Sequence, residues 1–322
     1  MVGRGIAGAT ARRLMSGIGL LALFVASCAV QGQAPAPGGA PLPPSLAEGG
    51  LLEAFSLSGG SLRIVLPRGA LTVRPSSDGQ VRVRGRLAAG QRLRQAAMPG
   101  GHALRVLDDG RLVPAAATLD VEVPAEASLS IDVEDAELDL DGVGGQRLRV
   151  EGGARPLRLV SAAPEVRVWS RSGPLTLRLS GQRLSIASVT GEVDLVAPSI
   201  GVQARIESVA GSLQLQLEQP GPMRVETVSG RIDLRTGQGS VPVTVETVTG
   251  DIDLRLAKDT SAALKLEPGA WPMGLRGSLN AGADGLARVG DGRWPLRLAT
   301  LSGRLTVRQG TAVLAEPEPH SD

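Results

Sequence analysis

The sequence predicts an all-β chain that folds as a parallel β-helix, or β-solenoid, with about 19–20 residues per coil. Three observations lead there: a phrase that recurs at a nearly fixed period, apolar residues that alternate within and before it, and a glycine at the same place in each copy. The best copies are Ser188-Val-Thr-Gly-Glu-Val-Asp-Leu195, Ser208-Val-Ala-Gly-Ser-Leu-Gln-Leu215, Thr227-Val-Ser-Gly-Arg-Ile-Asp-Leu234 and Thr247-Val-Thr-Gly-Asp-Ile-Asp-Leu254. A fixed period of this size with strand-like units is typical of solenoids.

Each coil is predicted to contain two short strands. One alternating apolar pair precedes each phrase, as in Leu184/Ile186, Ala204/Ile206, Met223/Val225 and Val243/Val245. A second lies inside it, as in Val193/Leu195, Leu213/Leu215, Ile232/Leu234 and Ile252/Leu254. Alternation with a period of two indicates strands with one buried face. Parallel stacking at roughly 4.8 Å would build about thirteen coils into a rod of about 60 Å.

A Ser/Thr-x-x-Gly corner is predicted to join the two strands. Its glycines, Gly191, Gly211, Gly230 and Gly250, are separated by 20, 19 and 20 residues. Each glycine indicates either a positive φ or a site too crowded for a side chain. The hydroxyl residues Ser188, Ser208, Thr227 and Thr247 are expected to stack into a ladder that satisfies backbone groups turned inward at the bend.

The pattern is looser outside these copies. Alternating stretches occur at 61–66, 81–87, 119–123, 129–133 and 138–140, and Trp169-Ser-Arg-Ser-Gly-Pro-Leu-Thr-Leu177 is a variant copy. Residues 256–299 interrupt the spacing and contain Trp271 and Trp294. We expect them to form an irregular coil or a closing cap, because an uncapped solenoid invites end-to-end strand addition.

The N-terminus reads as a secretory leader. Arg4, Arg12 and Arg13 precede a short apolar run, which ends in Val25-Ala26-Ser27-Cys28. This resembles the lipobox of bacterial lipoproteins. The resemblance implies that the thiol of Cys28 is diacylated, that the leader is cut before it, and that the new amine is then acylated. More than one acyl chain would make the membrane attachment stable. The following Ala29, rather than Asp, implies by the same resemblance the outer membrane or cell surface in a Gram-negative cell; the competing interpretation is an ordinary secretory signal with an incidental cysteine.

The chain is therefore divided into four predicted segments. Residues 1–27 are the leader, and 28–47 are the acylated cysteine with a tether rich in Pro, Ala and Gly, which favours extended conformations. Residues 48–312 are the solenoid, and 313–322 are a disordered acidic tail. Cys28 is the only cysteine, so no disulfide within the chain is possible.

Composition argues against a nucleic-acid partner. The formal charge is +2, but the leader holds three arginines and no acidic residue, so the mature chain would carry −1. Phosphate binding needs a clustered basic face, whereas arginine alternates with acids along the repeats. Aromatic residues are 2% and tyrosine is absent, and base-stacking platforms and aromatic sugar platforms both need more rings than this.

No catalytic, metal-binding or cofactor-binding set is predicted. Glu207, Glu226 and Glu246 fall in register, and so do Asp233 and Asp253. They could form a calcium site or a catalytic pair, but we interpret them as a solvated face with Arg–acid pairing, because Gln214 interrupts the aspartate column. The histidines are His102, expected in a turn, and His320 in the tail.

The phrases resemble those of the bacterial putative-adhesin family of β-strand-repeat proteins, related to autotransporter-adhesin heads, over roughly residues 50–310. Val123-Pro-Ala-Glu-Ala-Ser-Leu-Ser-Ile131 and Leu296-Arg-Leu-Ala-Thr-Leu-Ser-Gly-Arg-Leu305 fit as well. The resemblance implies the solenoid fold and no catalytic residue. The chain departs from the family phrase at Arg231 and Arg304, where an acid is usual.

The expected function is a non-enzymatic, membrane-anchored lipoprotein of the cell envelope, adhesin-like or structural. Its expected partners are the membrane, through Cys28, and a protein or polysaccharide along the solenoid face. The alternatives are a carbohydrate-active β-helix lyase or hydrolase, and an envelope-stress signalling accessory.

Overall fold

Strands account for every regular element in the described part of the chain. The computed structural model describes residues 50–57, 60–108, 114–237, 239, 241–266, 280–281 and 286–310, all within the unit Glu48–Asp322. Twenty-three β-strands occupy these residues, and no helix there is long and apolar enough to cross a membrane. The leader, tether and tail lie outside the described residues and remain predictions.

The strands are numbered in chain order. The first eleven are β1 (Gly50–Ser56), β2 (Ser61–Pro75), β3 (Gln80–Arg86), β4 (Gln91–Met98), β5 (Gly101–Asp108), β6 (Ala117–Val123), β7 (Ser128–Asp141), β8 (Arg147–Gly152), β9 (Leu157–Ser161), β10 (Glu165–Ser170) and β11 (Leu175–Leu179). The remainder are β12 (Gly181–Ser188), β13 (Val193–Ser208), β14 (Leu213–Gln219), β15 (Met223–Thr227), β16 (Ile232–Thr236), β17 (Val243–Thr247), β18 (Ile252–Ala257), β19 (Ala262–Leu266), β20 (Asn280–Ala281), β21 (Leu286–Val289), β22 (Trp294–Thr300) and β23 (Leu305–Gly310).

The chain winds between two parallel faces, which confirms the predicted solenoid with two strands per coil. Face A stacks β5, the first half of β2, the first half of β7, β8, β10, β12, the second half of β13, β15, β17 and β22. Face B stacks β6, the second halves of β2 and β7, β9, β11, the first half of β13, β14, β16, β18 and β23.

The core lies between the faces. Alternate residues of each strand point inward, so neighbouring coils stack apolar side chains directly over one another. Leu195, Leu215, Leu234 and Leu254 form one such column, in consecutive register and at most 1% exposed. All sixteen predicted core positions of the four best copies are buried.

Of the two explanations predicted for the corner glycines, the structure supports a site too crowded for a side chain. None of the four has a positive φ. A Cβ on Gly230 would instead overlap the carbonyl oxygen of Gly211 in the coil below. In the same way, a Cβ on Gly211 would overlap the carbonyl oxygen of Gly191, and a Cβ on Gly250 would overlap that of Gly230. The corner therefore requires glycine because successive backbones approach there too closely for a side chain.

The predicted hydroxyl ladder is present at the same corner. Ser188, Thr227 and Thr247 are fully buried. The amide of Gly230 donates to Thr227 Oγ1 at 3.2 Å, and that of Gly250 donates to Thr247 Oγ1 at 2.9 Å. The ladder satisfies amide groups that the bend removes from the strand pairing. It also extends further than predicted, to Ser170 and Thr300.

Chain order and stacking order differ at the N-terminal end. β2 lies between β7 and the coil formed by β5 and β6, although β5 and β6 follow it in sequence. β4 pairs antiparallel with β5, and β1 and β3 continue face B antiparallel beyond β6. The alternation at 81–87 thus marks a real strand, but its pairing is antiparallel rather than that of a parallel coil.

The C-terminal end repeats this arrangement. β22 inserts between β17 and β19, while β23 pairs with β18. β19 and β21 pair antiparallel at the outer side, in agreement with the closing cap predicted within 256–299. Trp294, however, belongs to the regular coil, where it is fully buried and donates from Nε1 to the carbonyl of Val241 at 2.5 Å. Trp271 lies outside the described residues.

The coil count was predicted too high. Ten coils with both faces stack in parallel in the described ranges, rather than thirteen. The antiparallel strands at the two ends and the described residues between β18 and β22 add no full coil.

The expectation for His102 was also wrong. It lies in β5 rather than in a turn, with its Nδ1 2.9 Å from Gln95 Nε2 and its ring centroid 5.0 Å from that of Phe55.

Candidate functional site

Face A carries the predicted column of glutamates on its outer side. Glu207 pairs in register with Glu226, and Glu226 with Glu246. These stacked carboxylates would repel one another without intervening positive charge. Two neighbouring arginines, Arg205 and Arg224, supply that charge from the adjacent outward position.

The arginines link one coil to the next. Arg224 lies 2.5 Å from Glu226 within its own strand and 3.2 Å from Glu246 in the next coil. Arg205 contacts Glu207 and reaches Glu226 at 3.7 Å, and Arg297 lies 3.6 Å from Glu246. Burial alone would lower the pKa of Arg224, but its hydrogen bond to Glu226 and the surrounding glutamate charges raise it above its usual value. The column is an ion-pair ladder with equal numbers of acids and arginines.

Face B carries the predicted aspartate pair. Asp233 and Asp253 are in register, and Arg255 lies 3.3 Å from the first and 3.5 Å from the second. Arg231 and Arg308 also contact Asp253, at 3.6 Å and 3.7 Å. Three guanidinium groups therefore surround one carboxylate.

The expectation of a solvated face is only half right. The Arg–acid pairing is present, but the side chains of Glu226, Glu246 and Asp253 are only 7–8% exposed. The aliphatic parts and guanidinium groups of the arginines shield the acids from water, since long cationic side chains can lie along the surface. These carboxylates are structural members of the face rather than freely hydrated charges.

The aspartate column is interrupted as predicted. Gln214 stands between Asp194 and Asp233 in the register of β13, β14 and β16. Among the residues that the structure describes, no group of three or more His, Cys, Asp or Glu side chains could hold a metal ion. His320 and the predicted lipidation residue Cys28 lie outside those residues.

A second charged region on face A was missed by the sequence analysis. It comprises the outward side chains of three adjacent strands, and we call it the β10 patch: Arg147, Arg149 and Glu151 on β8, Glu165, Arg167 and Trp169 on β10, and Arg183, Ser185 and Ala187 on β12. The register places these nine residues in three rows of three. Their 18-residue spacing, shorter than the period of the best copies, was the available signal.

The β10 patch has more arginines than acids. Arg147, Arg167 and Arg183 all converge on Glu165, at 3.5 Å, 2.7 Å and 3.6 Å, while Arg149 contacts Glu151. The four arginine side chains are 58–71% exposed, whereas Glu165 is 15% exposed. The patch therefore presents a net charge of +2 through accessible guanidinium groups.

Trp169 is the exposed aromatic residue of the patch. It is 41% exposed, in contrast to the buried Trp294. Its neighbours in register are Glu151 on one side and the small Ala187 on the other.

Two grooves border the β10 patch. The larger has a volume of about 550 Å³ and is lined by Arg147, Arg149, Glu165 and Arg167 together with residues of β2, β4 and β7. The smaller, of about 270 Å³, is lined by Trp169 and residues that include acidic side chains of β7 and β8. Together they place guanidinium groups, carboxylates and one indole ring along the same outer surface.

Comparison with known proteins gives matches at the level of structure. No protein-family model matches the chain, and no curated protein does. It is similar to the crystal structure of a putative adhesin from Parabacteroides merdae, with 10% identity and a TM-score of 0.49, over 80% of this chain and 95% of that one.

Two further solved structures are similar. A putative adhesin from Parabacteroides distasonis has 11% identity and a TM-score of 0.47, over 82% of this chain and 98% of that chain. A putative adhesin from Bacteroides fragilis has 12% identity and a TM-score of 0.35, over 80% and 95% of the two chains.

Proposed function

We propose that this chain is a non-enzymatic binding protein of the bacterial cell envelope, in which a lipid on Cys28 anchors an adhesin-like β-solenoid. The solenoid contacts a polysaccharide or a protein through its outer faces. The observation that carries the proposal is the registered array of charged side chains on face A, which extends over successive coils as a continuous surface. A flat, repetitive surface suits contact with an extended partner better than enclosure of a small substrate.

The state of the stacked acids supports a binding role over catalysis. Glycoside hydrolysis needs two carboxyl groups that reach the scissile bond from opposite sides. Glu226, Glu246 and Asp253 are instead each contacted by at least two arginines and shielded from solvent. They are placed to hold coils together.

The anchor is tested by cell fractionation. Cys28→Ser should move the protein from the detergent-extracted membrane fraction to the soluble fraction, because the acyl chains supply the membrane affinity. Gln33→Ser, a matched change in the predicted tether, should leave it in the membrane. A Cys28→Ser protein that still required detergent would refute the lipid anchor.

Exposure and activity are tested next. Protease added to intact cells should cut the solenoid if it faces outward; cleavage only after the envelope is opened would place its partners inside the envelope and favour the signalling accessory. Incubation with polysaccharides should leave their chain length unchanged. Chain shortening would instead establish the carbohydrate-active enzyme.

A further inference from the structure

We propose that the β10 patch binds a carboxylated polysaccharide, with a sugar ring stacked on Trp169 and its carboxylate groups held by Arg149, Arg167 and Arg183. This inference rests on the proposed function and deepens it, since it names the site and the class of ligand. The argument begins from the charge imbalance of the patch.

Arginine charge exceeds acidic charge in the β10 patch, in contrast to the part of face A from β13 to β22. Further along face A, Arg205, Arg224 and Arg297 match Glu207, Glu226 and Glu246 one for one. In the patch, three arginines share Glu165. Their guanidinium groups therefore retain unused donors, and a planar carboxylate is the partner that such a fork matches best.

The exposed indole supplies the second requirement. The flat face of a sugar ring is lined by C–H groups, which pack against the electron-rich face of an aromatic ring. Trp169 is accessible and lines the smaller groove. One stacked ring fixes the position of a chain that the arginines alone would hold loosely.

The carboxylates beside Trp169 offer hydrogen-bond acceptors to the hydroxyl groups of a sugar chain. Glu151 and Asp132 line the smaller groove together with Trp169. They can accept hydrogen bonds from sugar hydroxyl groups.

The strand spacing matches a chain that lies across β8, β10 and β12. Arg149 and Arg167 are direct neighbours in register, as Glu165 and Arg183 are. Neighbouring strands are about 4.8 Å apart, comparable to the length of one sugar unit, so consecutive units meet consecutive strands. The groove of about 550 Å³ beside the arginines continues this path toward β7 and β2.

Affinity electrophoresis of the full-length chain in detergent tests the proposal. Polygalacturonate cast in the gel should retard the protein, neutral dextran should not, and added salt should weaken the retardation. Trp169→Ala should weaken binding about tenfold, the size expected for one lost stacked ring, and Trp169→Phe should restore most of it. Arg167→Gln should weaken binding to polygalacturonate by a similar factor.

Arg178→Gln is the matched control, because it removes the same charge from an exposed position on face B. It should bind polygalacturonate like the unmodified chain. Equal loss in Arg178→Gln and Arg167→Gln would overturn the site, as would normal binding by Trp169→Ala. Thermal melting of each variant near that of the parent confirms that the comparison is between folded proteins.

The remaining outcomes separate the site from the proposed function. Tighter binding to single-stranded DNA than to polygalacturonate would replace the polysaccharide with a nucleic acid. Equal retardation by dextran would overturn the role of the arginines. Depolymerisation of polygalacturonate would overturn the non-enzymatic function. Absence of retardation would overturn the β10 patch as a polysaccharide site, but it would not bear on the membrane anchor, which cell fractionation tests separately.

Discussion

The carbonyl oxygen of Gly211 lies where a Cβ on Gly230 would stand. The same relation recurs at the corner of each neighbouring coil, from Gly173 and Gly191 through to Gly250 and Gly303. Glycine at this corner is therefore a condition for stacking, because backbone meets backbone without space for even a methyl group.

Gly230→Ala should destabilise the protein by at least about 2 kcal/mol, because the added methyl group forces two coils apart in a closely packed region. The free energy of unfolding from urea titration measures the effect. Gly310→Ala is the control, since nothing lies within 4 Å of its added Cβ and its φ is not positive. Equal stability of the two variants would mean that the corner can widen without cost.

Thr247→Val should cost about 1–3 kcal/mol, because it removes the hydroxyl that accepts from the buried amide of Gly250 while keeping the side-chain shape. Thr176→Val, at an exposed outward position of β11, is the matched change. Chemical denaturation of both variants tests the ladder. A loss no larger in Thr247→Val than in the control would show that the hydroxyl contributes only its shape.

Asp253→Asn should lower stability by about 1–2 kcal/mol, because Arg231, Arg255 and Arg308 lose a shared, shielded counter-charge. The partial exposure of these arginines limits the loss. Asp291→Asn, in an ion pair with both side chains at least 70% exposed, should change stability by less than about 0.5 kcal/mol. Calorimetric melting of the two variants should therefore separate them clearly.

Asp120→Asn should instead stabilise the protein at neutral pH. Burial raises the pKa of Asp120, and Glu122 raises it further against the opposing charges of Arg74 and Arg84. One buried oxygen of Asp120 has no hydrogen-bond partner. At Asp120 the folded state therefore binds a proton more tightly than the unfolded state, and the contribution of this residue to stability should fall as the pH rises from the ordinary aspartate pKa through the raised one.

Urea unfolding across that pH range checks this sign. The advantage of Asp120→Asn over the wild type should grow toward neutral pH. Glu122→Gln, two residues along the same strand, provides the contrast. It loses contacts with Arg82 and Arg84 and should destabilise. An advantage of Asp120→Asn that stayed constant or shrank as the pH rose through the window would contradict the assignment to Asp120.

The repeated coil was predictable because strand period, corner glycine and hydroxyl ladder all report the same local geometry. The structural roles of Leu215 and Gly211, for example, follow directly from their positions within the repeated phrase. The ends were not predictable, because the position of β2 between β7 and the β5–β6 coil depends on long-range pairing that no local pattern contains. Antiparallel and parallel strands share the same alternation, so β3 looked like any other strand.

The candidate site was harder to predict. The burial of Glu226 and Asp253 depends on how arginines from adjacent coils fold over them, and sequence register alone leaves that open. The β10 patch lies in the variant copies, where the period is 18 residues. If that period is extended back from Trp169 to Glu151 and forward to Ala187, it predicts that these three residues lie side by side in one row of the patch.

The interleaved ends have a consequence for how this architecture changes length during evolution. At the N-terminal end the earlier strand β2 is stacked inside the later strand β5, and at the C-terminal end the later strand β22 is stacked inside the earlier strand β19. Loss of a terminal stretch would therefore leave a gap within the stack rather than a shorter stack. Whole coils can be duplicated or deleted only in the sequential middle, between β8 and β18. Relatives with longer or shorter bodies should accordingly differ there by multiples of one coil and keep the two locked ends.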